Sequence, residues 1–212
     1  ASEQFGWRTV TGVAAGIGLL LGLAVWLAVR DDPTERGYKS YVEPSTSSGH
    51  ANAEWQKLRA VFAYRNTWLL SIAPGGIVGS VLTFSGLWGM PFLTDTYRLS
   101  PSVAAMLCSA VMLAMALSGP LFGMVSEKLA RRRAPYLVGT ALVLASWSIV
   151  LLVPGLPLWL LIGSLLCAGF FSGGMILGFT QAKESVPIAL AGTVSGVVNM
   201  GVMFGPMLLQ PL

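Results

Sequence analysis

Six long apolar runs, separated by short polar or charged segments, constrain the fold of this chain more than any other feature of its sequence. A helix needs roughly 20 apolar residues to cross a bilayer, so each run predicts one membrane-spanning helix. We therefore expect an all-α, polytopic membrane protein, a helical bundle with six transmembrane helices. The runs extend over about 10–29, 67–92, 102–125, 136–153, 158–179 and 190–212.

The distribution of charge agrees with a membrane protein and predicts its orientation. Charged residues make up only 10% of the chain, against about 25% in soluble domains. Eleven of the 13 Lys and Arg residues fall in alternate loops on one side, which leaves Arg8 and Arg98 on the other. Because loops rich in Lys and Arg stay in the cytoplasm, we expect segment 30–66 to be cytoplasmic. The location that we expect for the protein is a bacterial cytoplasmic (inner) membrane. No nucleic-acid partner is needed to explain the cations.

Segment 30–66 joins the first apolar run to the other five. Its first part, to about residue 52, is rich in Ser, Gly, Glu and Pro and predicts a flexible linker of low order. From Asn52 to Arg65, apolar residues such as Trp55 and Leu58 recur at helical spacing with cations between them. This pattern predicts an amphipathic helix lying along the membrane surface.

A proline and two glycines, Pro74, Gly75 and Gly76, lie inside the second run, which is longer than one straight crossing requires. Proline removes a backbone donor and clashes with the preceding turn, and glycine weakens a helix further. We expect a kinked or locally unwound helix at this point. The break is either merely tolerated by the bundle or used for gating and substrate contact.

Glycines also recur at four-residue spacing, which predicts close approach of helix backbones in a compact bundle. Tight static packing explains most of them, although helices that slide or rock would use the same spacing. The pairs are Gly75 and Gly79, Gly119 and Gly123, Gly169 and Gly173, Gly174 and Gly178, Gly192 and Gly196, and Gly201 and Gly205.

The sequence shows none of the residue patterns that enzyme active sites usually have. The chain has one His, no pair of Cys at ligand spacing and no phosphate-binding loop, so we expect no catalytic residues, no metal and no cofactor. The six runs also contain no Asp, Glu, Lys or Arg. Since a proton or ion site usually leaves an ionisable residue at membrane depth, a coupling group would lie elsewhere in a longer chain.

Neutral side chains within the runs remain as candidates for a substrate cavity. An Asn in hydrocarbon needs a partner, so Asn199 either bonds another helix or faces a water-filled cavity. Trp88 is either an interfacial anchor or part of the substrate wall. The candidates are Ser80, Thr83, Phe84 and Trp88 near one face of the second run, and Ser195 and Asn199 one turn apart in the last.

The loop between the third and fourth runs carries a dense charge pattern, Gly119-Pro-Leu-Phe-Gly123-Met-Val-Ser-Glu127-Lys128-Leu-Ala130-Arg131-Arg132-Arg133. It resembles the signature loop of the major facilitator superfamily, in which a glycine-bearing helix end is followed by an acid, a base, a glycine and two or three basic residues. Glu127 stands where Asp is usual, Lys128 where Arg is usual, and Ala130 where a second loop glycine is usual. The Lys cannot make the planar fork of Arg.

The resemblance implies a position in the twelve-helix plan of that family. Segment 1–29 would be the last helix of the N-terminal half, 30–66 the cytoplasmic linker between the halves, and 67–212 helices seven to eleven. The chain begins without Met and ends inside an apolar run, so we expect a fragment whose partner is the missing N-terminal half. In the family this loop latches neighbouring helices in one state, which assigns a latch to Gly119, Gly123, Glu127, Lys128, Arg131 and Arg132.

The resemblance further implies a secondary active transporter of a small organic solute, a symporter or antiporter that works by alternating access and is coupled to protons or another ion. In the latch, Glu127 would pair with Arg131, although the cluster could instead only set topology. A drug or metabolite efflux pump and a transporter-like sensor without flux are the alternatives. A channel would need a selectivity sequence or a charged pore ring, which the sequence lacks.

Overall fold

The computed structural model describes residues 2–30, 33–39 and 51–211. It is helical, and the described residues contain no strand. The chain divides into two compact units, Ala1–Ser48 and Gly49–Leu212. Six helices are long and apolar enough to cross a membrane: Gly6–Ala28, Arg65–Thr96, Pro101–Lys128, Arg133–Leu152, Leu158–Glu184 and Ile188–Leu209. The all-α, six-span membrane fold predicted from the apolar runs is thus confirmed.

The first unit contains helix α1 (Ser2–Ala28), in which Gly6 interrupts the helical geometry with φ of 72°. The side chains of α1 are exposed along the described length 6–28. A short 3-10 turn (Pro33–Arg36) follows, and its Arg36 guanidinium donates to the Ala28 carbonyl oxygen at 2.6 Å. Residues 40–50 of the predicted flexible linker lie outside the described residues.

The second unit holds the other five spans and begins with α2 (Ala51–Phe62). The bounds of α2 are close to those predicted for the amphipathic helix, Asn52 to Arg65. Ser100 caps α5 (Pro101–Lys128) by accepting a hydrogen bond from the Val103 N–H, and Pro101 is the first residue of the helix, as is typical of a helix start. The further helices are α3 (Arg65–Thr83), α4 (Gly89–Pro91), α5 (Pro101–Lys128), α6 (Arg133–Leu152), α7 (Leu158–Ser172), α8 (Met175–Glu184) and α9 (Ala191–Leu209).

Two clusters of buried apolar side chains form the core of the second unit. One includes Val61, Tyr136 and Ala182, near the end where α5 passes into α6. The other includes Leu93 and Leu161, towards the opposite end. The first of these ends carries Arg65, Lys128, Arg131, Arg132, Arg133 and Lys183, and we call it the basic end.

Glycines bring helix backbones into contact at two places. On α3, a Cβ atom added to Gly79 would lie 2.7 Å from the Cα of Gly205 on α9. A Cβ added to Gly173, in the turn after α7, would lie 2.6 Å from the Met115 carbonyl oxygen on α5. The close approach predicted from the four-residue spacing is confirmed there, since any side chain at these positions would overlap backbone.

Pro74 does not unwind the second span. Helix α3 is α-helical throughout Arg65–Thr83 with Pro74 inside it, so the local unwinding expected at Pro74, Gly75 and Gly76 is not observed, and a bend of the axis stays a prediction. A single proline removes only one hydrogen bond, and packing of Gly75 against α9 supports the helical backbone here. The span departs from α geometry further along, in π-helical turns at Phe84–Trp88 and Phe92–Thr96.

Candidate functional site

The turn after α5 is closed by backbone hydrogen bonds. The Ala130 N–H donates to the Glu127 carbonyl oxygen at 3.0 Å, and the Arg131 N–H donates to the Ser126 carbonyl oxygen at 3.3 Å, which is the Schellman arrangement of a helix end. Ala130 has φ of 48°, in the left-handed region where glycine is usual. The tight turn therefore forms without the glycine, at a cost of about 1–2 kcal/mol in backbone strain.

An ion pair joins this turn to the end of α8. The Nε and Nη2 atoms of Arg132 donate to Oε1 of Glu184 at 3.2 and 3.0 Å. The Nη1 atom donates to the Ser126 hydroxyl at 3.3 Å, and that hydroxyl donates to the Arg131 carbonyl oxygen at 3.1 Å. The end of α5, the start of α6 and the end of α8 are thus tied together at the basic end.

The charged residues predicted for the latch do not all take part in this network. Arg132 carries the ion pair. The side chains of Glu127, Lys128 and Arg131 are exposed, and no ion pair within the described part of the chain involves them. The expected pairing of Glu127 with Arg131 is therefore not observed, because Glu127 lies on the exposed face of the last turn of α5.

The two glycines predicted for the latch lie inside α5, away from the turn. A Cβ atom added to Gly119 or to Gly123 would meet no atom of the described residues within 4 Å. Their lack of a side chain is therefore not required by packing within the second unit. The backbone nitrogen of Gly119 does lie 3.1 Å from where a Cβ of Gly173 would stand, so this part of α5 contacts the turn after α7.

Sequence reasoning missed Ser126 and Glu184 in this network. Ser126 is only 1% exposed, a burial that the sequence of an apolar run does not reveal. Glu184 is the only acid after Glu127 in the whole chain. Three consecutive arginines followed by a single later acid are a charge pattern that predicts an ion pair between the arginines and Glu184.

Four of the predicted cavity residues line one groove in the second unit. The groove has a volume of about 670 Å³ and lies between α3 and α6, which both start at the basic end. Its described lining carries no charged side chain. It is lined by Ala73, Gly76, Ile77, Ser80, Thr83, Phe84 and Trp88 on the α3 side, by Thr140, Val143, Leu144, Trp147 and Leu151 on α6, and by Leu209.

Two polar atoms in this groove have no hydrogen-bond partner among the described residues. The Thr83 hydroxyl and the Trp147 indole Nε1 are both buried, and neither bonds to any residue that the structure describes. By contrast, the Ser80 hydroxyl donates to the Ile77 carbonyl oxygen at 2.9 Å. The Phe84 and Trp147 rings pack edge to face, 5.4 Å between centroids. The groove is thus apolar and aromatic, with two hydrogen-bonding groups that have no partner in the described part of the chain.

The other two predicted cavity residues lie outside this groove. The Ser195 hydroxyl donates to the Ala191 carbonyl oxygen of its own helix at 2.8 Å. The Asn199 side chain is exposed. Neither residue is among those lining the groove. The structure therefore divides the six candidates between two surfaces, one on α3 with α6 and one on α9.

A comparison with protein families agrees with the membrane spans and the charged loop. The sequence model of the Major Facilitator Superfamily matches residues 1–210. No curated protein and no solved structure matches the chain. The family match extends over nearly the whole length and covers both units of the chain. The chain therefore belongs to the major facilitator superfamily, a family of membrane transporters.

Proposed function

We propose that this membrane protein is a secondary active transporter, which moves a small organic solute by alternating access with a proton or another ion as the coupling partner. The observation that carries the proposal is the ion pair between Arg132, in the loop that resembles the family signature, and Glu184 at the end of α8. The pair joins helices α6 and α8, whose separation would break it. It can therefore hold the basic end in one state and release it in the other.

The strength of this pair suits a switch. The side chains of Arg132 and Glu184 are 31% and 52% exposed, so solvent screens the charges and the pair contributes about 0–1 kcal/mol. Such a contact can be broken at small cost in each cycle, whereas a deeply buried pair would resist separation by several kcal/mol. Arg132, Glu184 and Ser126 would form the latch, while Glu127, Lys128 and Arg131 would serve orientation.

The latch is tested by neutralising one partner and restoring the pair in reverse. Glu184→Gln should change the rate of solute flux into proteoliposomes while leaving membrane insertion intact, and Arg132→Glu with Glu184→Arg together should restore it. Lys183→Gln is the matched control, because Lys183 is the exposed neighbour of Glu184 without an ion pair among the described residues. Unchanged flux in Glu184→Gln would leave the loop as a topological anchor only.

We propose that the solute path runs along the exposed face of α9 that carries Asn199. An amide in hydrocarbon without a partner costs roughly 2–7 kcal/mol, and the Asn199 side chain is exposed. Gly196, one turn earlier, has open space where a side chain would stand. A path there would hydrate the amide or let it bond the solute.

The groove between α3 and α6 is the second candidate for the solute path. It is favoured by the Thr83 hydroxyl and the Trp147 indole N–H, which have no hydrogen-bond partner among the described residues and would bind an acceptor on an apolar, uncharged solute. The two sites are separated by measuring flux in Asn199→Ala and in Thr83→Val. Loss in only one variant identifies the path, and full activity in both rules out both assignments.

Coupling and direction are tested in the same vesicles. The described spans of the second unit carry Asp, Glu, Lys and Arg only near their ends, as at Asp95 and Lys183, so we propose that the coupling group lies outside their apolar centres. A protonophore should abolish accumulation of solute if protons are the coupling ion. A sensor without flux would instead show no gradient-driven uptake or efflux of any solute.

A further inference from the structure

Helix α2 is attached to the basic end of the second unit. Val61 is fully buried, and Leu58 and Phe62 pack against the core cluster at that end. The Trp68 indole N–H donates to the Phe62 carbonyl oxygen at 2.9 Å, and the Phe62 and Trp68 rings lie 4.9 Å apart between centroids. Since the span begins at Arg65, α2 is held at the level where apolar membrane meets water.

An open cavity of about 680 Å³ lies along one side of this helix, and its described lining residues all belong to α2. Its described lining combines apolar and aromatic surface with one cation and no acid. The Trp55 side chain is 70% exposed, although tryptophan is usually buried unless it has an interfacial position. The lining consists of Trp55, Gln56, Leu58, Arg59 and Phe62.

The cation of this cavity is free to bind an anion. Arg59 is exposed and belongs to no ion pair within the part of the chain that the structure describes. The acid of the same helix, Glu54, accepts from Lys57 Nζ at 2.8 Å instead. The guanidinium therefore offers its planar fork, which matches the oxygens of a phosphate.

We propose that this cavity binds the phosphate headgroup of an anionic membrane lipid. Arg59 holds the phosphate, the amide of Gln56 adds a hydrogen bond, and the Trp55 ring lies at headgroup depth. Leu58 and Phe62 contact the start of the acyl chains. The occupant is a lipid rather than a free anion because the charged group and the apolar surface line the same cavity beside a membrane span.

The charge of the surrounding surface favours the same ligand. Lys128, Arg131 and Arg133 are exposed at the same end of the unit. Clusters of cations next to a membrane span attract anionic lipids, and each cation near the surface contributes an increment of affinity. These residues raise the local concentration of anionic lipid, and Arg59 with Trp55 selects one molecule of it.

The test measures lipid bound to the purified protein by native mass spectrometry, with phosphatidylglycerol as the probe and phosphatidylcholine as the neutral comparison. Arg59→Gln should weaken phosphatidylglycerol binding more than fivefold, because it removes the direct phosphate contact as well as the increment of one interfacial cation, about fivefold. Arg133→Gln, an exposed cation at the same end, is the matched control and should weaken binding by no more than that one increment. Trp55→Ala should weaken binding without changing charge.

Three outcomes overturn the proposal. Equal losses in Arg59→Gln and Arg133→Gln would mean diffuse attraction without a site. Equal binding of phosphatidylcholine would remove the role of the phosphate charge, and displacement by inorganic phosphate at equal concentration would make the ligand a free anion. Because Arg59 and Trp55 are exposed, both variants should keep the fold, which a thermal unfolding scan of each protein checks.

Discussion

Gly75 of α3 lies so close to Gly201 of α9 that a Cβ atom on Gly75 would stand 2.6 Å from the Gly201 carbonyl oxygen. The next turn repeats the contact, with Gly79 against Gly205. The two helices therefore meet backbone to backbone over two turns. Without hydrophobic driving force in lipid, such packing is the main source of helix association.

Gly75→Ala should lower the free energy of unfolding by about 1–3 kcal/mol, because the new methyl group overlaps backbone that cannot move aside. Gly76→Ala is the matched control, since it is the next residue of the same helix and a Cβ there meets nothing within 4 Å. Thermal unfolding in detergent compares the two. Equal unfolding temperatures would contradict the close contact of α3 with α9.

Ala130→Gly should stabilise the protein by roughly 0.5–1 kcal/mol. Ala130 has φ of 48°, a conformation that costs an L-residue energy and costs glycine none. Ala116→Gly, at an exposed position inside α5, should have the opposite effect, since glycine destabilises a helix interior by about 0.5–1 kcal/mol. Opposite shifts in unfolding temperature would support the left-handed turn, and shifts of the same sign would contradict it.

Ser126→Ala should destabilise the turn by about 1 kcal/mol, since the buried hydroxyl accepts from Arg132 and donates to the Arg131 carbonyl oxygen. Ser185→Ala serves as the comparison, because that hydroxyl bonds only within the end of its own helix. Hydrogen exchange of the amides in the turn measures the effect. Unchanged protection in Ser126→Ala would contradict the proposed network.

Thr83→Val should leave stability unchanged or raise it by up to about 1 kcal/mol. The Thr83 hydroxyl is buried without a partner within the described residues, so its removal relieves an unsatisfied group. Thr140→Val is the matched control, because it replaces the same hydroxyl by a methyl group in the same groove. The Thr140 hydroxyl donates to the Tyr136 carbonyl oxygen at 2.8 Å, so this variant should lose a little stability. A clear loss in Thr83→Val would show that the hydroxyl has a partner in the membrane.

The spans were predictable because the bilayer imposes one simple requirement. A chain crossing hydrocarbon must satisfy its backbone within a helix and present apolar side chains, so runs such as 102–125 identify α5 directly. The cap at Ser100 and Pro101 was predictable for a similar reason, since both residues act on their own helix end. The amphipathic pattern around Trp55 also depends only on local spacing.

The site was less predictable because it depends on contacts between distant residues. The sequence pattern suggested that Glu127 pairs with Arg131 nearby, whereas Arg132 bonds Glu184, 52 residues away. Likewise, the polar residues of the second and last runs were predicted as one cavity and lie on two surfaces. Helical spacing tells which residues share a face, but not which helix that face meets.

The sequence by itself determined the number of spans, the family and which loops carry the cations. Hydropathy, residue spacing and charge depend only on the order of residues along the chain. Only the tertiary structure decided that Gly75 contacts Gly201, that Ala130 turns without glycine and that Arg132 reaches Glu184. These features follow from the packing of helices against one another. That packing depends on the shape of whole helix surfaces and not on any single segment.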